Sequence, residues 1–451
     1  MLKKIRFTYW MLRGFFMRHN KLLLIAIFAG LVSALLVPKI HALLPKSEPL
    51  KKIAVIGKPT LSELPLFIQN QISLGLTSMT PSGEAQPSLA KSMSIEEDGK
   101  RYRFVLRDDL FWHDGQPFRA DDVNYNFSDV TMTVVSDAEV VFDLKEPFSP
   151  FPTVVSQPLF RSSRSSLFPG RRALLGLGPM RENKIVRNAQ YITELLLKSD
   201  DKTLLYRFYN TQEAAVTAFK LGEVDEIVEL SSPGELVNWP NTIISEVIHP
   251  DRYVALFFNV EDPILSSKSL RQALTYDIPD KAGQSIRAVS PINPNSWAHN
   301  PQVKPYDYDP EAAKRLLDSE REQGNAIPQV LELTTTLPYL DIAEKIKEEW
   351  STLGINTTIK VATFFPENFQ VLLIAQEIPP DPDQYSLWHS TQQTNLTRYN
   401  SPKVDKLLED GRQTIDKKER ILIYQDFQRF LVEDSPAAFL FHHRTFTISR
   451  S

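Results

Sequence analysis

Few residues in this chain have the types and spacing that chemistry would need. Eight histidines, His19, His41, His113, His249, His299, His389 and the pair His442–His443, are scattered through 451 residues. None falls into H-E-x-x-H or another metal-ligand spacing, and adjacent histidines on a strand face opposite ways. Cysteine is absent, which removes disulfides, thiolate metal ligands and a cysteine nucleophile together. There is no G-x-S-x-G elbow and no G-x-x-x-x-G-K-[ST] phosphate loop. Gly176-Leu177-Gly178 opens like a dinucleotide fingerprint but continues Pro-Met-Arg, so the third glycine fails. Asp108-Asp109 and Asp121-Asp122 read as solvated surface or a helix start, not as paired catalytic carboxylates. The sequence therefore predicts no catalytic residue, no metal centre and no cofactor.

Composition narrows the class further. Hydrophobic residues at 42% and charged residues at 24% are ordinary for a globular protein, and the length calls for more than one hydrophobic core. A formal net charge of −4 argues against a nucleic-acid surface. Thirty-two prolines against 16 glycines suggest fixed loops between elements. The N-terminal region is basic: Lys3, Lys4, Arg6, Arg13, Arg18 and Lys21 precede any acid, the first of which is Glu48. An uncharged apolar run follows from Leu22 to Val37. Charge before an apolar stretch keeps the basic end in the cytoplasm and exports the rest. Residues 1–21 are thus expected to be cytoplasmic and 22–44 to form a transmembrane signal-anchor, with 45–50 a linker. A cleaved signal stays open, although small residues do not occupy both positions that a peptidase reads.

The exported part must position any ligand-binding groups, and its elements are legible. Tyr102, Phe104 and Leu106 alternate with Arg101, Arg103, Val105 and Arg107 as in a half-buried strand, and Asp114-Gly115 turns the chain. Arg252 to Asn259 is an apolar run of strand length, followed by a helix around 270–276. Asp309-Pro310-Glu311 supplies a cap oxygen, a proline at the first helical position and an acid near the positive helix end. Leu331 and Leu333 mark a strand. Ile342, Ile346, Trp350 and Leu353 then recur at helical spacing up to Gly354, and Ile355, Thr357, Ile359 and Val361 change the period to two. Strand, helix and strand with short connections predict a parallel pair with a right-handed crossover. Ile421, Tyr424, Phe427 and Leu431 add an amphipathic helix. The class is α/β.

The segment Leu110 to Phe127, LFWHDGQPFRADDVNYNF, closely resembles the signature of the family 5 extracellular solute-binding proteins, the peptide- and nickel-binding components of ABC importers. Trp112, Asp114, Gly115, Pro117, Phe118, Ala120, Asp122 and Val123 fall in the family's register. EAAVTAFKLGEVDEI from Glu213, LFFNVEDPILSSKSLRQALTYDI from Leu256, YDYDPEAAKRLL from Tyr306 and RYNSPKVDKLLEDG from Arg398 continue the resemblance in order. It implies a two-lobed fold of periplasmic-binding-protein type with a hinge near Asp251 to Phe258. Lobe I would span 51–251, with a reduced accessory subdomain near 128–160. Lobe II would span 252–451, with a short return to lobe I left open at the C-terminal end. Trp112, Asp114, Gly115 and Asp122 read as structural. Arg119 stands where the family usually has threonine, so a capping oxygen is lost.

The same resemblance implies an extracytoplasmic protein that binds a peptide or peptide-like solute and delivers it to ABC permease subunits in the cytoplasmic membrane. Two alternatives stay open: a membrane-tethered sensor or scaffold, and a non-peptide ligand such as a metal chelate. Peptide-binding relatives hold the ligand's amino group with an aspartate just before an Asp-Pro pair. Asp381-Pro382 matches that pair, but Ile378 occupies the amine-binding place. Glu377 or Asp383 would take over, or the ligand lacks a free amine. Trp297, Tyr385 and Trp388 fall in segments that border the cleft in relatives, and complete the expected ligand-binding set.

Overall fold

The computed structural model describes residues 50–164, 172–281, 283 and 285–451, with six further residues between Trp10 and Lys21. Met1–Leu50 and Lys51–Ser451 form separate units. In the first, the described residues between Trp10 and Lys21 are helical and exposed, with the Arg13 guanidinium 5.3 Å from the Trp10 ring. The expected anchor, 22–44, lies outside the described residues. Among those described, no helix is long and apolar enough to cross a membrane.

Among the described residues of the larger unit, fourteen strands of five or more residues and six helices of nine or more follow the chain. The first lobe carries β1 (Leu50–Ile56), β2 (Ala90–Glu96), β3 (Arg101–Leu106), β4 (Val130–Ser136), β5 (Glu139–Leu144), β6 (Arg181–Asn188), β7 (Tyr191–Lys198), β8 (Thr203–Tyr209), helix α1 (Gln212–Lys220) and β9 (Glu226–Leu230). The long strand β10 (Thr242–Phe258) contains the position, near Asp251, where the resemblance places the boundary between the lobes. There follow α2 (Lys268–Tyr276), α3 (Pro310–Glu322), β11 (Val330–Thr335), α4 (Leu340–Thr352), β12 (Asn356–Val361), β13 (Val371–Glu377), α5 (Pro402–Gln413), α6 (Lys417–Asp434) and β14 (Ala437–Arg450).

Ten strands make one sheet in the order β6-β7-β8-β1-β9-β14-β10-β13-β11-β12. β10 and β14 are antiparallel partners through both lobes, so two long strands are the spine of the molecule. β11 and β12 pair in parallel from Val330↔Asn356 to Thr335↔Val361, as the strand–helix–strand pattern predicts. The local reasons are those read in the sequence. Asp309 accepts from the Ala312 amide to cap α3, with Pro310 at its first position. α4 buries Ala343, Ile346 and Trp350, and the Trp350 indole donates to the Leu274 carbonyl at 3.1 Å.

Two cores flank the second-lobe half of the sheet. Val254, Leu256, Leu333, Ile346 and Trp350 share one face; Tyr253, Phe257, Trp388, Tyr424 and Phe439 share the other. A separate four-stranded antiparallel sheet, β2-β3-β5-β4, packs over Phe104, Trp112, Phe142 and Phe151. The segment 128–160 supplies β4 and β5 of this sheet and the short helical turn Phe151–Val154. The signature lies at its edge. Trp112 is buried, its indole donating to Asp122 Oδ2 at 3.1 Å, and the same oxygen accepts from the Arg119 amide at 3.0 Å. Asp122 thus supplies a cap contact where the Arg119 side chain has no oxygen to offer. Asp114 Oδ1 accepts from the Gln116 amide at 3.1 Å, and Gly115 takes the turn at φ 83°.

Candidate functional site: a pocket at the hinge

The spine pairing shifts register twice, by one residue at Leu440 and by a larger break at Pro250. His249 of β10 faces His443 of β14, and the next pair is Tyr253 with His442, so Pro250, Asp251 and Arg252 have no counterpart. Proline has no amide hydrogen and cannot complete a ladder bond, which breaks the strand pairing here. The bend re-aims Arg252. It stands opposite Glu377 of β13 in register, 3.6 Å from it, while its guanidinium lies 3.4 Å from Glu229 of β9. One arginine therefore bridges an acid from each lobe.

β13 is paired with β10 over its full length, Val371 to Glu377, but with β11 only over Val371 to Leu373. Among the described residues, the edge from Ile374 to Glu377 carries no strand on that side. Such an edge exposes unpaired backbone donors and acceptors, and an extended chain can pair with it.

Beside the break is a cavity of about 320 Å³ whose wall includes Ser231 from the first lobe and Ile278, Lys281, Tyr339, Ile346 and His443 from beyond it. Larger cavities of about 940 and 950 Å³ are each walled by a single lobe. The hinge pocket mixes an apolar wall with polar and charged side chains, among them Asp280, Lys281, Asp341, Lys345 and Arg444, a composition that can hold a small polar solute. The Tyr339 hydroxyl and His443 Nδ1 share a hydrogen bond of 3.1 Å. Burial, with His249 and Arg252 nearby, pushes His443 down to about 4, so its imidazole is neutral at pH 7. Lys281 is 6% exposed, donates to the Ile278 carbonyl at 2.8 Å, and is pushed down to about 7 by burial. Asp277, at the end of α2, is fully buried with no hydrogen bond to either carboxyl oxygen, and burial pushes it up to about 7.

The residues expected to bind ligand separate into three places. Glu377 lies at the end of β13, highly exposed, against Arg252. Trp297, Asp383 and Tyr385 lie at a second seam, where the second lobe meets the four-stranded sheet and its loops. The Trp297 indole donates to the Gly83 carbonyl at 3.2 Å, and its amide donates to Ser82 at 3.1 Å. Asp383 accepts from Arg412 at 2.7 Å, and the Arg412 guanidinium lies 4.0 Å over Tyr385. Ser149 reaches across to donate its hydroxyl to the Arg412 carbonyl at 2.9 Å. Trp388 is 2% exposed and packs between Phe257 and Phe439, ring centroids 6.3 and 6.1 Å away. It occupies the core. Ile378, at the amine-binding place, is also buried there.

Arg252, Tyr339, Lys281 and His443 were not among the expected site residues. A lone arginine heading the apolar run Tyr253–Phe258, directly after Pro250-Asp251, was the available signal for the first. Lys281 follows an unremarkable Ile-Pro-Asp turn and had none.

The sequence model of the bacterial extracellular solute-binding proteins, family 5, matches residues 84–132 and 126–398. The chain is similar to the dipeptide-binding protein of Escherichia coli, 24% identical over 444 residues, covering 80% of this chain and 82% of that protein. It is also similar to the nickel-binding periplasmic protein of the same organism, 26% identical over 298 residues and 56% of each chain. Among solved structures, the ABC transporter substrate-binding protein CtaP of Listeria monocytogenes superposes with a TM-score of 0.76 at 24% identity, over 90% of this chain and 94% of that one. NikZ of Campylobacter jejuni in complex with Ni(L-His) gives 0.72 at 24% identity, over 90% and 95%.

Proposed function

Since the chain belongs to family 5 of the bacterial extracellular solute-binding proteins, we propose that it captures a small peptide-like solute in the hinge pocket and presents it to an ABC-type importer. The observation that carries this reading is the coincidence of three features: the break at Pro250, the unpaired edge Ile374–Glu377 and a cavity walled by both lobes. A peptide laid along that edge satisfies its own backbone groups, and the pocket accepts one side chain. The cavity volume suits a short solute better than a long one. Bending at 250–252 closes the lobes and gives a membrane partner two distinguishable shapes. Trp297, Asp383 and Tyr385 in this reading secure the second seam, and Glu377 lies at the ligand's edge.

The topology follows the same reading. Residues 22–44 tether the protein, and 51–451 lie outside the cytoplasmic membrane. Protease added to intact spheroplasts should remove the globular part and leave a small membrane fragment; a full-length product that resists digestion would refute this orientation.

Binding is tested by thermal unfolding of the full-length chain in detergent with pooled dipeptides and tripeptides. A ligand at a hundredfold excess over its Kd adds about 2.7 kcal/mol to stability. No shift with any pool or with a nickel–histidine chelate would remove solute capture as the function. The chelate is a specific second reading, because the His249 and His443 rings lie 6.0 Å apart beside the pocket. Among the described residues no three ligands gather into a metal centre, so a metal would arrive already chelated.

A further inference from the structure

The acids and cations around the hinge are unequally satisfied. In the segment from Glu377 to Asp383, each acid has an internal cation: Glu377 faces Arg252 at 3.6 Å, Asp381 meets Arg420 at 2.7 Å and Asp383 meets Arg412 at 2.7 Å. Glu229 also faces Arg252, at 3.4 Å. Ile378, which stands between these acids, is 5% exposed and donates its amide to the Asp251 carbonyl at 2.7 Å. No carboxylate in this segment is left over to hold an ammonium group.

Lys281 is in the reverse position. It lines the hinge pocket, is almost wholly buried, and uses one of its three donors on the Ile278 carbonyl. Among the described residues no carboxylate comes within ion-pair distance of it. A buried ammonium without a counter-ion is costly, and the cost is relieved by any anion that enters the cavity. The wall combines apolar Ile278, Ile342, Ile346, Leu440 and Phe441 with charged Asp280, Asp341, Lys345 and Arg444. Asp280 and Asp341 are exposed to water, whereas Lys281 is buried against the apolar part of the chain and gains most from a partner.

We propose that the hinge pocket selects its solute by a carboxylate bound to Lys281 and not by a free amino group. The proposal rests on the solute-capture reading and narrows it to small apolar carboxylic acids, among them short peptides with a free C-terminus whether or not the N-terminus is blocked. Burial holds the ammonium low and Arg287 adds to the effect, against the weaker pull of Asp307 and Asp277, and an incoming carboxylate would add to that pull.

The test uses the full-length chain in detergent and three probes: Ala-Leu, N-acetyl-Ala-Leu and Ala-Leu-amide, titrated by calorimetry. N-acetylation should change Kd by less than about threefold, whereas amidation should weaken binding by about tenfold or more. Lys281→Gln, which keeps a donor for the Ile278 carbonyl, should lose the preference for acid over amide and leave amide binding unchanged. Lys281→Met serves as a second variant if the first does not fold. Equal binding of acid and amide by the wild type, or an acid preference that survives both substitutions, overturns the proposal. Failure of all three probes also overturns it. In that case a stability gain with a nickel–histidine chelate leaves solute capture standing, and no gain with any solute removes both.

Discussion

Arg420 and Asp381 form a two-point ion pair, at 2.7 and 3.3 Å, with both side chains more than nine-tenths hidden from solvent. Arg420 also donates to the Gly411 carbonyl at 3.0 Å and lies 5.1 Å under the Trp297 ring, the residue that touches Ser82 and Gly83 across the second seam. The pair therefore supports a contact between parts of the chain some 200 residues apart. Removing one member strands a buried charge, at a cost of about 3–5 kcal/mol. Asp381→Ala should lower the urea midpoint accordingly, and the double variant Asp381→Ala/Arg420→Met should recover much of the loss. A single variant as stable as the wild type would show the pair to be solvated.

Trp388 was expected to contact ligand, but its packing makes it a core residue. Trp388→Ala should cost about 3–5 kcal/mol, as large-to-small changes in a close-packed interior do. Its indole nitrogen has no hydrogen-bond partner, so Trp388→Phe should be far milder. If Trp388→Ala keeps full stability and loses only ligand affinity, the tryptophan belongs to the pocket after all.

Asp277 gives a pH signature whose sign is fixed by its burial. Its folded pKa is raised from 3.8 to about 7, so the folded state favours the protonated acid. Its stability contribution is fully present below the unfolded value and is lost as pH rises through about 7. Asp277→Asn should match the wild type near pH 4 and exceed it at pH 8 by roughly 2–4 kcal/mol, since one unit is about 1.4 kcal/mol. Parallel stability curves for the two proteins from pH 4 to 8 would show that Asp277 stays ionised with a partner.

Hinge motion can be read by distance measurement, because the native chain contains no cysteine. Leu221 follows α1 in the first lobe at 71% exposure, and Val361 ends β12 in the second at 47%. Spin labels on Leu221→Cys/Val361→Cys should report a shorter, narrower distance distribution when a binding dipeptide is added. Arg252→Ala, which releases the bracket to Glu229 and Glu377, should broaden the ligand-free distribution while changing stability by less than about 1 kcal/mol, since these pairs are partly exposed. An identical distribution with and without saturating dipeptide rules out closure about Pro250.

Much was determined by the sequence alone, wherever a property depends on neighbours along the chain. The alternation of Tyr102, Phe104 and Leu106 marks the buried face of β3, and Asp309-Pro310 marks the start of α3. The period change across Gly354 announces the parallel pair β11–β12. The resemblance of Leu110 to Phe127 carries the family because it is a contiguous local unit, a buried tryptophan and its turn. Tertiary structure decided the rest. Whether Arg252 meets Glu377 depends on the register between strands more than a hundred residues apart, and Pro250 sets that register only after β14 has paired with β10. The same closure seals Trp388 into a core and leaves Lys281 buried in a cavity wall with no carboxylate at ion-pair distance among the described residues. Side-chain chemistry is written in the sequence, but access to water and to a counter-charge exists only once distant segments pack, and those two quantities separate a binding residue from a buried one.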